Sequence, residues 1–510
     1  YLIGMAISFL PFSFYSASFS ALRGVGDSKS CLRLTIIINV IHLVLSMIFL
    51  NVMHLDIFGT ILSYFLARIV GGATALYSLM NKHGQIGVRF SDIFRFEPKL
   101  LKSIFRMGIP FAIEQCFYNG GTVIVQTYIV FHMRLVPEVD LNHIYDYCVD
   151  MVETGKISFG ESKYFAYNTN NIPLAIVIYY VFRMAAFTGM DYRIAGGLFN
   201  VLLILVMYVS AFLILKKVTT IRTTAVYMVL LLTNPSFYAY ASYYYTDTIS
   251  AGLVMAGVGF IIYGCYKKKN HWKMIHFLVA GFLIGFATCI RVTSIFIVLA
   301  AGVWILLNKY WKKLLTLGIP LVCGLLIFQL AWGGVYRYHV DMDTYDSAIT
   351  IEHFLMMGSH GNGTYNVKDM RFTRSFPTHE EKVENNKKVY LEHLRENGVL
   401  GNLKLAIKKE AIVWGIGTHG YTQYTKNVVE KTTCYDWLVG KKSGLFRTYM
   451  QAYNIVLYVL ILSGVCCTFR KKKTDKYSWI LAIYWCGALV FYIFWEAHPR
   501  QSVSILPLLT

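Results

Sequence analysis

The sequence predicts an all-α polytopic membrane protein: about twelve transmembrane helices, further helices at the interface and one large outer loop domain. Three observations carry this. Hydrophobic residues make up 56% of the chain and the mean hydropathy is positive. Apolar runs of roughly 20 residues recur, the length that crosses a ~30 Å hydrocarbon core. Lysines and arginines cluster in short stretches between those runs, as in cytoplasmic loops. The formal net charge of +20 therefore does not call for nucleic acid, and the lipid bilayer is the partner the composition demands. The chain opens at Tyr1 inside an apolar run, without Met, and closes at Thr510 inside another. Both ends read as cuts, so a fragment is expected.

Residues 1–20 form an apolar helix interrupted by Pro11. The loop ALRGVGDSKSCLR owes its charge mostly to Arg23, Lys29 and Arg33 and faces the cytoplasm. Apolar runs follow at about 34–53 and 57–80. The next connection, 81–106, carries Lys82, Arg89, Arg95, Lys99, Lys102 and Arg106 and is again inside. Its Phe94, Leu101, Ile104 and Phe105 are spaced as one face of an interfacial helix. The run 108–133 then crosses outward. The phrases ALRGVGDSKS, IIINVIHLVLSMIF, FGTILSYFLARIVGG and FRMGIPFAIEQCFYNGGTVIVQTYIV resemble the multidrug and toxic compound extrusion (MATE) family. The resemblance covers residues 1–130 and implies the fourth to seventh helices of such a transporter. Its cavity lies between two six-helix halves, so the cavity here is incomplete. Asn39 and Glu114 are the polar groups such a path would use; packing or capping is the other role open to them.

Residues 134–172 form the first long polar segment, with Glu138, Asp140, Asp146, Asp150 and Glu153. A carboxylate just above a bilayer can take a proton from an acceptor hydroxyl while a lipid-anchored donor presents its phosphate from the membrane. A solvated loop, acidic by chance, is the other reading. The segment's end, YFAYNTNN, resembles the YF..YPNN phrase of the GT-C class of glycosyltransferases. The nearest branch is that of the dolichyl-phosphate-mannose protein mannosyltransferase-like enzymes of bacteria. Tyr164, Phe165, Asn170 and Asn171 match, and Thr169 stands where Pro is usual. The resemblance implies a polyprenyl-phosphate sugar donor and a hydroxyl acceptor on a protein, cell-wall polymer or lipid. It also implies an active site on the outer face of the cell membrane, with Asp140 as general base and Tyr164, Asn170 and Asn171 at the substrate. The chain thus divides into a MATE-like segment, 1–130, and a GT-C-like segment, 131–510.

The positive-inside rule orders the rest. Reading 173–188, with Arg183 near its end, as an interfacial helix puts four basic loops inside. They are KKVTTIR at 216–222, and the loops at 267–273, 308–313 and 469–477. The spans are then about 194–215, 224–241, 248–266, 275–290, 293–308 and 314–332. Asp247, in YYYTDT, falls at an outer helix mouth, where the family often has a second acidic residue, and is expected to be catalytic. Tyr243, Tyr244 and Tyr245 beside it also suit an interface belt. Arg291, in CIRVTS, sits between two apolar runs and needs an anionic partner. A lipid phosphate serves, as does a buried carboxylate such as Asp247.

Residues 333–445 make the large outer loop. Its phrase HFLMMGSHGNGTYNVKDM resembles one in the same branch and implies that His353, Gly358 and Asp369 line an acceptor groove. The stretch 380–418 reads as one or two amphipathic helices lying on the membrane, and NGT at 362–364 is a nominal glycosylation sequon. Spans at about 446–468 and 477–494 follow. Glu496, His498 and Arg500 then emerge outside; Gln501 stands where the family commonly has Tyr. His498 is expected at the substrate and Arg500 at the donor phosphate.

No P-loop or dinucleotide glycine pattern is present, which argues against a soluble nucleotide-sugar donor. Most cysteines lie in apolar runs. Cys148 and Cys434 fall in outer loops and leave a disulfide open, and no zinc spacing occurs. A divalent metal is compatible with the outer carboxylates, though no ligand spacing demands one. The competing readings are a MATE-type transporter or lipid flippase, resting on 1–130, and an accidental join near residue 130.

Overall fold

The computed structural model describes residues 9–24, 27–53, 55–82, 121–159, 162–307, 314–340, 343–470 and 478–509. The amphipathic stretch expected at 94–105, and Glu114, lie outside them. Every regular element described is helical, and the one strand-like pairing among the described residues is the isolated antiparallel bridge Leu135–Val428. Two compact units result, Tyr1–Pro110 and Phe111–Thr510.

The first unit contains helices α1 (Phe9–Gly24), α2 (Ser28–Met47) and α3 (Asp56–Lys82). Asp27 caps α2 by accepting from Ser30 N at 3.0 Å. Leu22, Cys31, Leu34, Ala75 and Leu79 form its small core. The outer side of α2 (Leu32, Ile36, Val40, Leu43, Met47) is exposed and apolar, as a lipid-facing surface must be.

The second unit begins its described part with α4 (Thr122–His132). Helix α4 packs into this unit: Gln126 Nε2 donates to Tyr208 OH at 3.2 Å and to Phe237 O at 3.3 Å. Next come α5 (Asp140–Thr154), α6 (Ile172–Thr188), α7 (Tyr192–Val218) and α8 (Ile221–Leu232). Then follow α9 (Thr246–Cys265), α10 (Asn270–Ile290), α11 (Phe296–Leu307) and α12 (Ile319–His339). Helices α7, α9, α10 and α12 pack in that sequence. At the α10–α12 crossing, a Cβ on Gly281 would stand 2.0 Å from Leu321 O, and one on Gly324 2.0 Å from Leu278 O. Two backbones meet there with no room for a methyl group.

The segment between α12 and the last long helices carries α13 (Ile351–Met357) and α14 (His379–Gly415). Helix α14 is broken at Gly398, whose φ of 59° is left-handed, so the stretch expected to hold one or two amphipathic helices holds two helical segments joined at a kink. Val399, Leu400, Leu403 and Ile407 beyond the kink are exposed. Helices α15 (Gly444–Arg470) and α16 (Ser478–Phe494) complete the unit.

Among the described residues, 8 helices are long and apolar enough to cross a membrane, and four shorter apolar helices accompany them. The expected span at 224–241 is cut short: α8 stops at Leu232, Asn234 Oδ1 accepts from Ser236 N at 3.0 Å, and Pro235 opens a short helix, Ser236–Ala239. The 293–308 span shortens because Val292–Ile295 is a 3₁₀ turn. Helix α6, expected at the interface, forms with the 3₁₀ turn before it a 20-residue stretch, Thr169–Thr188, that is long and apolar enough to cross a membrane, with more than half of its apolar window buried. Packing against α5 and α7 accounts for that burial.

Candidate active site

Four chain segments converge on one cluster of polar side chains. The first is the start of α5. Val139 precedes it with φ 55° and ψ −132°, a β-branched residue in a region that costs about 1–3 kcal/mol. Asp140 therefore opens the helix, where the dipole favours a carboxylate. The second is the short helix Lys163–Tyr167, capped by Ser162, and the turn after it. Tyr164 OH donates to Asp140 Oδ1 at 2.8 Å and accepts from Asn171 Nδ2 at 2.6 Å. Burial, then the Asp140 carboxylate, holds the Tyr164 phenol well above its ordinary pKa, so it stays a donor. Asn171 is buried within the cluster and Asn170, its neighbour in the motif, is exposed.

The third segment is the start of α9. Tyr245 OH donates to Asp140 Oδ2 at 3.2 Å and to Asn171 Oδ1 at 2.9 Å. Two residues on, the Asp247 carboxylate is almost fully buried between two guanidiniums. Arg291 Nη1, from the end of α10, lies 2.7 Å from Oδ1, and Arg500 Nε lies 2.9 Å from Oδ2. Asp247, expected to be catalytic, is enclosed by this pair of arginines. Arg291 thus has the carboxylate partner named as an alternative to phosphate, and also reaches Thr246 Oγ1 and Thr293 Oγ1.

The fourth segment follows α16. His498 Nδ1 accepts from Arg500 N at 3.2 Å, and His498 Nε2 meets Tyr424 OH at 2.9 Å. Burial, then Arg500, pushes this imidazole down to about 4. It is therefore neutral, and acceptance at Nδ1 puts its proton on Nε2. Gln501 closes a capping box with His498. Arg500 donates to Tyr243 OH at 3.0 Å and lies 4.6 Å above the rings of both Tyr245 and Tyr424. Burial raises Glu496 to about 7, with Asp140 adding to the shift and Arg500 and Lys409 opposing it. Both non-glycine residues with positive φ among those described, Val139 and His419, flank this cluster. Tyr240 OH donates to His419 O at 2.7 Å.

Two expected groove residues sit elsewhere. His353 is fully buried, with Nδ1 2.7 Å from Thr373 Oγ1, and burial pushes it down to about 4. Asp369 pairs with His360 Nε2 at 2.7 Å. They hold the segment 351–397 together and make no contact with Asp140 or Asp247. Cys148 and Cys434 are free thiols, and Cys148 Sγ donates to Ala175 O at 3.2 Å. Among the described residues no three His, Cys, Asp or Glu side chains are grouped to hold a metal ion.

Sequence reasoning missed the phenol layer. Tyr243 and Tyr245 sit in a run that also fits an interface belt, and Tyr424 has no flanking motif. Glu496 was visible as an outward acidic residue, but its closeness to Asp140 depends on tertiary packing.

No curated protein and no solved structure matches the chain. A family model described as "Conserved hypothetical integral membrane protein" matches residues 37–509, a span that includes residues of both compact units. The chain belongs to this family of integral membrane proteins.

Proposed function

We propose that this integral membrane protein is a glycosyltransferase that moves a sugar from a polyprenyl-phosphate donor to a hydroxyl acceptor at the outer face of the cell membrane. One observation carries it. A carboxylate positioned by two phenols, Asp140, is one tyrosine ring away from a buried group in which two guanidiniums share one carboxylate. The Arg291–Asp247–Arg500 unit carries an excess positive charge, which suits a lipid phosphate.

In the reaction, Asp140 takes the acceptor hydroxyl proton as that oxygen bonds to the anomeric carbon. The bond from that carbon to the phosphate oxygen breaks, and its electron pair leaves with the polyprenyl phosphate. Arg291 and Arg500 offset the charge that develops on the leaving group. Attack opposite the phosphate inverts the anomeric centre. The MATE-like stretch contributes anchoring. One family model covering residues on both sides of position 130 supports a genuine gene product over an accidental join.

The test is a transfer assay on purified membranes with a panel of polyprenyl-phosphate sugars. Asp140→Asn keeps size and hydrogen bonding and removes the base, so transfer falls by roughly 10²–10⁴-fold while donor still binds. Arg500→Ala weakens donor binding. Unchanged transfer by Asp140→Asn, with loss in the control Asp146→Asn, assigns the base elsewhere in the segment.

A further inference from the structure

A polar cavity of about 420 Å³ lies beside the start of α5, lined by Glu138, Val139, Asn142, His143, Gln423 and Lys426 among others. Its position relative to the arginines follows from a chain of contacts. The Arg500 guanidinium lies 4.6 Å from the Tyr245 ring, and Tyr245 OH reaches Asp140 Oδ2 at 3.2 Å. Asp140 Oδ1 accepts from Tyr164 OH at 2.8 Å, and the Tyr164 ring is stacked on His143 at 4.1 Å and 21°. His143 lines the cavity. The base is thus linked through Tyr245 to the arginines and through Tyr164 and His143 to the cavity. A base that reaches both neighbourhoods is what a displacement needs, since it must meet the acceptor hydroxyl while the phosphate leaves.

The lining tells what kind of acceptor fits. Gln423 offers a donor and an acceptor from one planar amide, the pattern that matches neighbouring sugar hydroxyls; Asn142 gives one N–H to Asp146 Oδ2 at 2.9 Å and keeps its carbonyl and second N–H. Glu138 and Lys426, 3.5 Å apart, add one acceptor-only and one donor-only group. The exposed His143 ring, held flat by Tyr164, is a platform for the apolar face of a sugar ring. A peptide bound by strand addition would need an unpaired backbone edge. The edges next to the cavity are already occupied: Val136 N donates to Asn427 O at 3.0 Å, and Val429 N donates to Arg134 O at 2.9 Å.

We infer that this cavity is the acceptor subsite and that the acceptor is a carbohydrate, the cavity holding the sugar unit next to the one whose hydroxyl faces Asp140. The word acceptor rests on the glycosyltransferase reading; sugar binding by the cavity does not.

The experiment uses the full chain in detergent micelles. Saturation-transfer NMR is recorded with methyl glycosides of glucose, galactose, mannose and N-acetylglucosamine, and with a Ser/Thr hexapeptide. At least one glycoside should bind. Asn142→Ala/Gln423→Ala should weaken it roughly tenfold, the loss expected for about two hydrogen bonds. His143→Phe, which keeps the platform, should retain binding that His143→Ala loses, and this guards against simple misfolding. Binding of the peptide alone, no binding at all, or glycoside signals untouched by the variants overturns the inference. Donor consumed with a peptide acceptor at a rate the variants do not change leaves the glycosyltransferase reading standing and ends this one. Glycoside binding that the variants abolish, with no polyprenyl-phosphate sugar ever consumed, keeps the sugar cavity and ends the glycosyltransferase reading.

Discussion

Asp247 and Glu496 show how position decides what an acidic side chain does. Asp247 is paired to Arg291 and Arg500 at 2.7 and 2.9 Å with almost no solvent exposure. Asp247→Asn strands two buried guanidiniums, and breaking a buried pair costs about 3–5 kcal/mol. Denaturant unfolding in detergent should show that loss; a catalytic base at this position would instead give an inactive protein of unchanged stability. Glu496 carries the opposite liability. Its pKa is raised from 4.5 to about 7, burial being the largest cause, so the folded state holds its proton more tightly than the unfolded chain does. Its stabilising contribution is full below pH 4.5 and is lost as pH rises through about 7. His498, lowered from 6.5 to about 4, works the other way, contributing above pH 6.5 and losing that contribution as pH falls through about 4. Between them the two slopes oppose each other. Glu496→Gln removes one, so the variant should gain more stability than the parent between pH 4.5 and 6.5, measured by unfolding midpoints across that range.

The α10–α12 crossing is the tightest contact between long helices described above. With Gly281 and Gly324 each facing a carbonyl across the contact, Gly324→Ala forces the two backbones apart. Overpacking of this kind costs about 1–3 kcal/mol, and because α10 ends at Arg291, donor affinity should fall with stability. Measuring both in the same preparation checks the coupling. Helices were the most legible part of the sequence, since bilayer-length apolar runs leave few alternatives. The break after α8 was less so: Asn234 and Pro235 were in view, but the apolar residues on either side masked the turn they make. At the site, the charged residues stood out because charge is rare in apolar surroundings, and Asp140, Asp247, Arg291, His498 and Arg500 do come together. The tyrosines between them did not, since a ring at a bilayer surface and one in a buried hydrogen-bond network look alike in one dimension. His353 and Asp369, which lie outside the cluster, illustrate a related ambiguity. A buried, bonded histidine and a substrate-facing one have the same letter.

For the whole molecule, the proposal stands or falls on sidedness. In a cysteine-free background, a single cysteine at Ser375 should react with an impermeant thiol reagent in intact cells, and one at Lys268, in the α9–α10 connection, should not. Both positions are exposed, so the opposite pattern would put the candidate site on the inner face. The bridge between Leu135 and Val428 carries a consequence for synthesis. The segment leading into Asp140 is secured by residues made much later: Asn427 bonds Glu138 from 289 positions away, and Thr432 Oγ1 donates to His132 O from 300. At translation rates of about 5–20 residues per second, these partners leave the ribosome roughly 15–60 s after α5 does. Until then the segment before Asp140 lacks these late partners and is held only through contacts such as Tyr164 OH to Asp140, and a chaperone or insertase at the membrane has that interval in which to engage it.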